Sequence, residues 1–404
     1  MKLQKVHIDY IRIAFSNLKS KEDLLNLLNY SKSLIYGEKA VAFEIKHIIY
    51  HSNPKANSKR YTRFSIKKKS GTLRTIHAPN KGLKSIQKCL NLIFQAIYEV
   101  SPSANGFVPG KSIVDNAMVH TGSFYVYNID LKDFFPSIDQ ARIWGRLKYP
   151  PFNLNEKNGT IELANIISAL CCQEMLVERL DKNNEWKEVL KNVLPQGAPT
   201  SPTLTNIICQ KLDFYLNAVA KRFGLKYSRY ADDITFSSMH NVFQKDSDFL
   251  KELHRIIEEQ HFQIKESKTR LQKQGYRQEV TGLIVNATAN VQKRYIKQLR
   301  MWLYYWEQYG YDRANDYFLP NYLSDKGYTK KGQPNMANVI AGKLEYLKMV
   351  KSRENQLYLK LNERFEKLIG ASNSISFILD LWEKEGIEKA MNKYYGNNPN
   401  ECNV

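Results

Sequence analysis

Two spacings of apolar residues alternate along this chain, and they predict helices at both ends with strands between them. Within residues 1–50, apolar side chains recur at three- and four-residue intervals, the helical spacing, and this spacing returns from residue 291 onward. Short runs of aromatic and β-branched residues at 124–129, 227–230 and 234–236 instead predict strands.

Turn residues and further apolar runs place the remaining elements. Residues 61–79 predict a β-hairpin that turns near Ser70 and Gly71. Residues 139–193 predict a connector, with a helix over 161–180 and a polar loop over 181–186. Helices are also predicted at 81–100, 203–219 and 242–261, and a strand or turn at 262–271.

Composition adds a strong positive charge to this picture. The chain has 404 residues, 43% of them hydrophobic, which suffices for a sizeable core and for two or three subdomains. Sixty Lys and Arg against forty Asp and Glu leave a net charge of +20. Such an excess favours a polyanionic partner such as nucleic acid, although a merely basic soluble protein has the same composition.

The cysteines and the hydropathy of the chain predict its compartment. The five cysteines have neither CxxC spacing nor an even number for a disulfide framework, which favours a reducing cytoplasm. Cys171 and Cys172 are expected to be buried apolar side chains rather than metal ligands. No stretch of about 18 apolar residues occurs, so neither a membrane span nor export is expected.

The candidate chemistry lies in acids placed at the ends of predicted strands. Asp130 ends the strand at 124–129, and Asp232 and Asp233 lie between the strands at 227–230 and 234–236. Two adjacent carboxylates repel each other and are tolerated when solvated or neutralised by a cation. Carboxylates from separate segments are what a pair of Mg²⁺ ions about 3.5–4 Å apart requires. The alternative is an ordinary Asp-containing turn.

Three segments in this order resemble the palm of reverse transcriptases: the strand ending at Asp130, LPQGAPTSP at 194–202, and YADD at 230–233. The resemblance implies an α+β, right-hand polymerase fold with fingers, a palm built on a mainly antiparallel sheet, and a helical thumb. It also implies catalysis by two Mg²⁺ ions held by Asp130, Asp232 and Asp233. The expected boundaries are N-terminal helices at 1–50, fingers at 51–123, palm at 124–290 with the connector, thumb at 291–365, and a helical extension and tail at 366–404.

The same resemblance assigns nucleotide-binding residues. Lys68 and Arg74 on the basic hairpin would hold the triphosphate of a dNTP, Phe135 would exclude a ribose 2′-OH, and Gln196 would contact the incoming nucleotide. Lys268 would lie near the triphosphate and neutralise or protonate pyrophosphate. Each of these residues also has a non-functional explanation. The hairpin could be a solvated basic edge, Phe135 a core residue before a turn, and Lys268 a surface lysine.

Two further patterns resemble retron reverse transcriptases, bacterial enzymes that make a branched RNA-linked DNA. They are NAxxH, at Asn116, Ala117 and His120, and VTG at 280–282. The resemblance implies a structured noncoding RNA as template and primer, a DNA product, and an effector protein in anti-phage defence. RNA or primer contacts are expected at Asn116, His120, Val280, Thr281, Gly282, Arg294, Lys297 and Arg300. A lone His on a helix is otherwise a satisfied polar residue.

Two rival interpretations remain. The chain could be another bacterial defence-associated or group II intron type of reverse transcriptase, although an extension with Cys and His pairs, expected for an intron enzyme with an HNH domain, is not found. It could also be a non-catalytic RNA-binding scaffold. The presence of Asp130, Asp232 and Gln196 favours a polymerase over a scaffold.

Overall fold

The computed structural model describes residues 3–53, 59–67, 71–180, 185–326, 333–370, 379, 382–383 and 386–396. The chain divides into two compact units. One holds residues 1–68 and 73–281, and the other holds residues 69–72 and 282–404. The first unit therefore contains the predicted fingers and most of the predicted palm.

The first unit begins with α1 (Lys5–Ser16), α2 (Lys21–Tyr36), α3 (Ile45–Ser52), β1 (Tyr61–Lys67), β2 (Leu73–Pro79) and α4 (Lys81–Ile97). Helix α2 starts at a capping box, in which Ser20 Oγ accepts from Asp23 N and the Asp23 carboxylate accepts from Ser20 N. Buried Ile11, Leu28 and Leu90 contribute to the core that α1, α2 and α4 share. The predicted hairpin at 61–79 and the helix that follows it are confirmed.

The unit continues with α5 (Ile113–Met118), β3 (Tyr125–Asp130), α6 (Gln140–Leu147), α7 (Ile161–Cys171), β4 (Gln173–Leu180), β5 (Trp186–Val193), α8 (Ser201–Ile208), α9 (Gln210–Arg222), β6 (Lys226–Tyr230), β7 (Asp233–Ser238), α10 (Asp248–Glu259), β8 (Arg270–Lys273) and β9 (Glu279–Val280).

A four-stranded antiparallel sheet forms the centre of this unit, with strand order β6-β7-β3-β8. Its strands β3, β6 and β7 are the three strands predicted from the aromatic and β-branched runs. Strand β3 pairs with β7 on one side and with β8 on the other, so the acid that ends β3 lies inside the sheet and not at an edge. Phe236 packs against Phe249 of α10 and Tyr227, which covers one face of the sheet with aromatic rings.

The predicted helix over 161–180 is wrong in its second half. Helix α7 ends at Cys171, and residues 173–180 pair with 186–193 as the hairpin β4–β5. In this hairpin Val177 is buried while its neighbour Leu176 is exposed, which is the two-residue period of a strand. The apolar residues of this segment suit a helix and a strand equally, so its apolar content alone did not show the hairpin. Cys171 and Cys172 are buried, as expected.

Two other helices differ from the prediction in their limits. The helix expected at 203–219 consists of α8 and α9, which meet at Cys209. The helix expected from residue 242 begins at Asp248, because Ser247 Oγ accepts from Leu250 N and caps the helix there.

The second unit is helical, as predicted for the thumb. It contains β10 (Leu283–Ile284), α11 (Lys293–Lys326), α12 (Met336–Lys351), α13 (Gln356–Ile369) and α14 (Ile387–Gly396). Helix α11 is interrupted at Gly310, whose φ of +77° lies in the left-handed region. Its two parts pack against each other through Trp302 and Phe318, whose ring centroids are 4.9 Å apart. Among the described residues, no helix combines the length and the apolar content that a membrane span needs.

Candidate active site

The register of two strands brings together the acids that the sequence singles out. Asp130, the last residue of β3, is the cross-strand partner of Asp233, the first residue of β7. Side chains of such partners lie on the same face of a sheet. Asp232 lies in the turn between β6 and β7, where its carbonyl oxygen accepts from Leu131 N at 3.0 Å. Three carboxylate side chains are thus gathered at one end of the sheet.

The electrostatics of these acids reflects their proximity. Burial raises the pKa of Asp232, and the negative charge of Asp130 raises it further. The pKa of Asp233 is raised to about 6, first because its crowded surroundings separate the carboxylate from bulk water, although the side chain reaches the surface, and then because of the charges of Asp232 and Asp130. The site therefore disfavours three simultaneous negative charges and would be stabilised by a cation.

A cation of the protein already contacts this cluster. Lys268, at the end of the 3₁₀ turn Glu266–Lys268, places Nζ 2.6 Å from Asp130 Oδ2. Within the described ranges, no group of three or more His, Cys, Asp or Glu side chains is arranged as a metal site. The donor chemistry nevertheless fits a hard divalent cation, because the converging groups are carboxylates and two of them have raised pKa values.

The candidate triphosphate contacts lie on the first hairpin. Arg74 of β2 is exposed, and its positive charge acts on Asp232. This charge opposes, but does not cancel, the rise in the pKa of that carboxylate. Arg74 therefore faces the same region as the acids. Lys68, the other predicted contact, lies outside the described residues.

The turn that carries Gln196 is fixed to the same hairpin. The backbone carbonyl of Gln196 accepts from His77 N of β2 at 2.8 Å. A Cβ on Gly197 would lie 2.8 Å from both His77 O and Ile76 Cγ2, and the φ of Gly197 is +124°. Only glycine allows this close approach without displacing the hairpin. The Gln196 side chain is half-buried.

Phe135 lies five residues beyond Asp130 and is half-buried. Its ring centroid is 6.0 Å from that of Phe107 and 5.6 Å from that of Phe134. Phe134 is buried and stacks on Phe262, so the two adjacent rings have different environments. The core interpretation therefore applies to Phe134, whereas Phe135 keeps an accessible part.

Residues 66–293 match the reverse transcriptase (RNA-dependent DNA polymerase) family, which is more than half of the chain. The chain belongs to this family. Together with the antiparallel sheet, this match confirms the predicted right-hand polymerase fold of reverse transcriptases.

Several relatives with similar sequences are retron reverse transcriptases. The chain is 37% identical to the retron Mx162 reverse transcriptase of Myxococcus xanthus over 59% of its own length and 51% of that protein. It is 35% identical to the retron Mx65 enzyme of the same organism, over 64% of this chain and 59% of that one. It is 34% identical to the retron Ec86 enzyme of Escherichia coli, over 56% of this chain and 63% of that one. The chain thus spans about half to three fifths of these relatives, and the predicted retron-type resemblance is confirmed.

The structure corrects the expected RNA contacts of this reverse transcriptase at Asn116 and His120. Both side chains are fully buried. His120 Nδ1 lies 2.8 Å from Ser237 Oγ and Nε2 lies 2.7 Å from Ser228 Oγ, and Ser228 Oγ donates to Asn116 Oδ1 at 2.8 Å. These residues therefore tie α5 to strands β6 and β7 and present no surface to RNA. Burial also lowers the pKa of His120 to about 3, so the ring is neutral.

The other expected RNA contacts differ in exposure. Val280 is buried, so its side chain does not reach a ligand on the surface, and Thr281 Oγ1 donates to Ile113 O at 3.3 Å. Gly282 is exposed. The three residues at the start of α11 that are predicted to contact RNA are all exposed: Arg294, Lys297 and Arg300. Arg294 is paired with Asp325 at 2.5 Å, whereas RNA contact by any of the three stays a prediction.

A cavity of about 960 Å³ lies in the first unit beside Asp133 and Glu266. Its walls come from the loop after β3, the hairpin β4–β5 and the C-terminal end of α10. Of the described residues predicted to bind the nucleotide, none lines this cavity. The candidate active site of the reverse transcriptase is therefore the open end of the sheet and not this cavity.

Sequence reasoning missed a buried ion pair directly behind the acidic turn. Arg229 of β6 and Asp213 of α9 are 0% and 1% exposed, and they are joined by two hydrogen bonds. The available signal was the position of Arg229, a charged residue between the apolar parts of a predicted strand next to YADD. A charge in such a place requires a buried partner.

Proposed function

We propose that this chain is an RNA-directed DNA polymerase of the retron type, which copies a structured noncoding RNA into a short, branched RNA-linked DNA. The observation that carries the proposal is the register of Asp130 against Asp233, with Asp232 in the adjoining turn. Because the chain spans only part of its curated relatives, the activity, its substrates and its partners are inferences.

The acids would act as ligands for two Mg²⁺ ions. Asp130 and Asp232 would hold them, with Asp233 as the third carboxylate. Once bound, the ions supply the acidity that activates the attacking hydroxyl and the positive charge that stabilises the leaving pyrophosphate. The raised pKa values of Asp232 and Asp233 support this role, since they reflect repulsion between close carboxylates, which a bound divalent cation would relieve.

The nucleotide would be bound by the residues around this cluster. Arg74 would attract the triphosphate toward Asp232, because its positive charge already acts on that carboxylate. Gln196 would contact the nucleotide from a turn whose backbone is held by His77, and Phe135 would pack under the sugar and reject a 2′-OH. Lys268 would leave Asp130 for the pyrophosphate and give it a proton.

The nucleic acid would follow exposed basic residues at the start of α11, among them Arg294, Lys297 and Arg300. Cations along a helix contact phosphates and give affinity without sequence preference. In the retron type of enzyme, a guanosine 2′-OH within the RNA would prime synthesis, which gives the branched product. An effector protein and a role in anti-phage defence complete the proposal, and they rest on the resemblance of the sequence to retron enzymes. A cytoplasmic location rests on the cysteine pattern.

The test is to express the chain with its native flanking genomic region and to extract the nucleic acid. A discrete short DNA that is released by RNase and debranching treatment, and that Asp232→Asn abolishes, is expected. Unbranched or long repetitive DNA would retain the polymerase and contradict the retron type. RNA that copurifies without any DNA would favour the non-catalytic scaffold.

A further inference from the structure

The turn that carries Asp232 is supported by a network of polar side chains that are buried inside the first unit. Its centre is the guanidinium of Arg229, which donates from Nε to Asp213 Oδ1 at 2.7 Å and from Nη2 to Asp213 Oδ2 at 2.8 Å. Tyr227 Oη donates to the same Oδ1 at 2.7 Å. This arrangement fixes the plane of the guanidinium, because a two-bonded Arg–carboxylate pair allows one orientation only.

The remaining nitrogen of Arg229 reaches the acidic turn itself. Nη1 donates to Ala231 O at 3.2 Å and to Asn206 Oδ1 at 3.1 Å. Ala231 immediately precedes Asp232, and its φ of +58° lies in the left-handed region, which a residue with a Cβ adopts only at a cost in free energy. Such a conformation persists where the surroundings determine it, and here a buried cation holds the Ala231 carbonyl.

A second contact closes the turn from another side. A Cβ on Gly106 would lie 2.4 Å from Ala231 N and 2.9 Å from Tyr230 C, so the loop before α5 packs directly on the backbone of the turn. Asn206 Nδ2 donates to Gly106 O at 3.0 Å, and Asn105 N donates to Arg229 O at 2.8 Å. Asn206 thus joins the loop to the guanidinium.

We propose that Arg229, Asp213, Asn206 and Gly106 are positioning residues that set the direction of the Asp232 and Asp233 carboxylates by holding Ala231 in its left-handed conformation. They act through the turn and do not touch the reacting atoms. This inference rests on the proposed polymerase function, and it assigns to this network the geometry on which metal binding by the two acids depends.

Two variants test the network in the full-length protein. Gly106→Ala places a methyl group against the turn, and Gly145→Ala is its matched control, because a Cβ there meets no atom within 4 Å. Arg229→Lys keeps a cation beside Asp213. It lacks the planar guanidinium, which donates to Asn206 and Ala231 at the same time as to Asp213. We expect kcat for dNTP incorporation to fall at least tenfold in both variants, with the KM for dNTP changed less than threefold and Gly145→Ala unchanged.

A readout that does not depend on polymerisation accompanies the kinetics. Binding of Mn²⁺ to each variant is measured by electron paramagnetic resonance, together with the thermal midpoint and the affinity for RNA. Gly106→Ala and Arg229→Lys should bind Mn²⁺ at least threefold more weakly, with unchanged RNA affinity. Ala231→Gly added to Arg229→Lys should recover at least threefold in kcat, because glycine adopts a positive φ without the cost that alanine bears.

Wild-type kcat and Mn²⁺ affinity in folded Gly106→Ala and Arg229→Lys proteins would overturn the proposal. The proposal would also be overturned if kcat and Mn²⁺ affinity fell in both variants only in proportion to the folded fraction and Ala231→Gly did not restore kcat. Such losses would indicate that the network only stabilises the fold. If the wild-type protein makes no DNA, the proposed function fails, while the Mn²⁺ measurements still decide whether the network positions the acids.

Discussion

Lys268 Nζ lies 2.6 Å from Asp130 Oδ2, and this ion pair joins the 3₁₀ turn after α10 to the end of β3. Asp130 is almost fully buried, whereas the Lys268 side chain is about half exposed. The carboxylate is therefore enclosed by the protein, whereas the lysine side chain has solvent beside it. A half-exposed cation paired with a buried acid is suited to exchange between that acid and a phosphate.

We therefore expect Lys268→Ala to lower kcat for dNTP incorporation by about 10²–10⁴-fold, the range for loss of a general acid. RNA affinity should change little, because one exposed lysine is lost from a chain of net charge +20. Steady-state incorporation and filter binding measure the two effects. Lys273→Ala, at the other end of β8, is the matched control, and equal losses in both variants would contradict a specific role for Lys268.

The acidic cluster should make the protein less stable as pH rises. The pKa of Asp233 is about 6 in the folded chain against 3.8 ordinarily, so the folded state binds more protons than the unfolded state between these values. Stability is then lost as pH rises from about 4 to about 6. In a chelating buffer, Asp233→Asn should have a higher thermal midpoint than wild type at pH 7.5, and the difference should vanish near pH 4. A constant difference across this range, or the same gain in Asp9→Asn on α1, would contradict the pKa shift.

His120 should influence stability in the opposite direction. Its pKa falls from 6.5 to about 3 on burial, so the folded state binds fewer protons than the unfolded state between these values. Stability is present above pH 6.5 and is lost as pH falls toward 3, by up to about 1.4 kcal/mol per pH unit. We expect His120→Gln, which keeps a donor and an acceptor, to reduce this slope in denaturant titrations at pH 4 to 7.

The same variant distinguishes a structural His120 from an RNA contact. Because the buried ring bonds to Ser228 and Ser237 of the sheet, His120→Gln should leave RNA affinity within twofold of wild type at neutral pH. A variant of wild-type stability whose RNA affinity falls tenfold would restore the contact that the sequence suggested.

Phe135 should decide between deoxyribonucleotides and ribonucleotides. Its ring is only half-buried and contacts Phe107, so its truncation should cost less stability than truncation of the buried Phe134. We expect Phe135→Ala to lower the ratio of kcat/KM for dNTP over NTP by about tenfold or more, because without the ring nothing would clash with the 2′-OH of a ribonucleotide at this position. Phe124→Ala, at an exposed ring before β3, is the control. An unchanged ratio in Phe135→Ala would assign the rejection to another residue.

Local patterns were sufficient where neighbouring residues alone define an element. The hairpin β1–β2, the strands β3, β6 and β7 and the N-terminal helices follow from turn residues, aromatic and β-branched runs, and apolar spacing. The segment at 173–180 failed because its apolar residues suit a helix and a strand equally, and its pairing partner lies beyond a loop.

The sequence by itself determined the chemical groups of the site and the family. Asp130, Gln196 and YADD at 230–233 occur in an order that is recognisable without coordinates. Only the tertiary structure decided how these groups are supported. Asp130 pairs with Asp233 across the sheet and forms an ion pair with Lys268. His120 bonds to Ser228 in the sheet, and Arg229 donates to the carbonyl of Ala231. The physical reason is that burial and hydrogen bonding between distant segments are properties of packing, and no local pattern of residues encodes them.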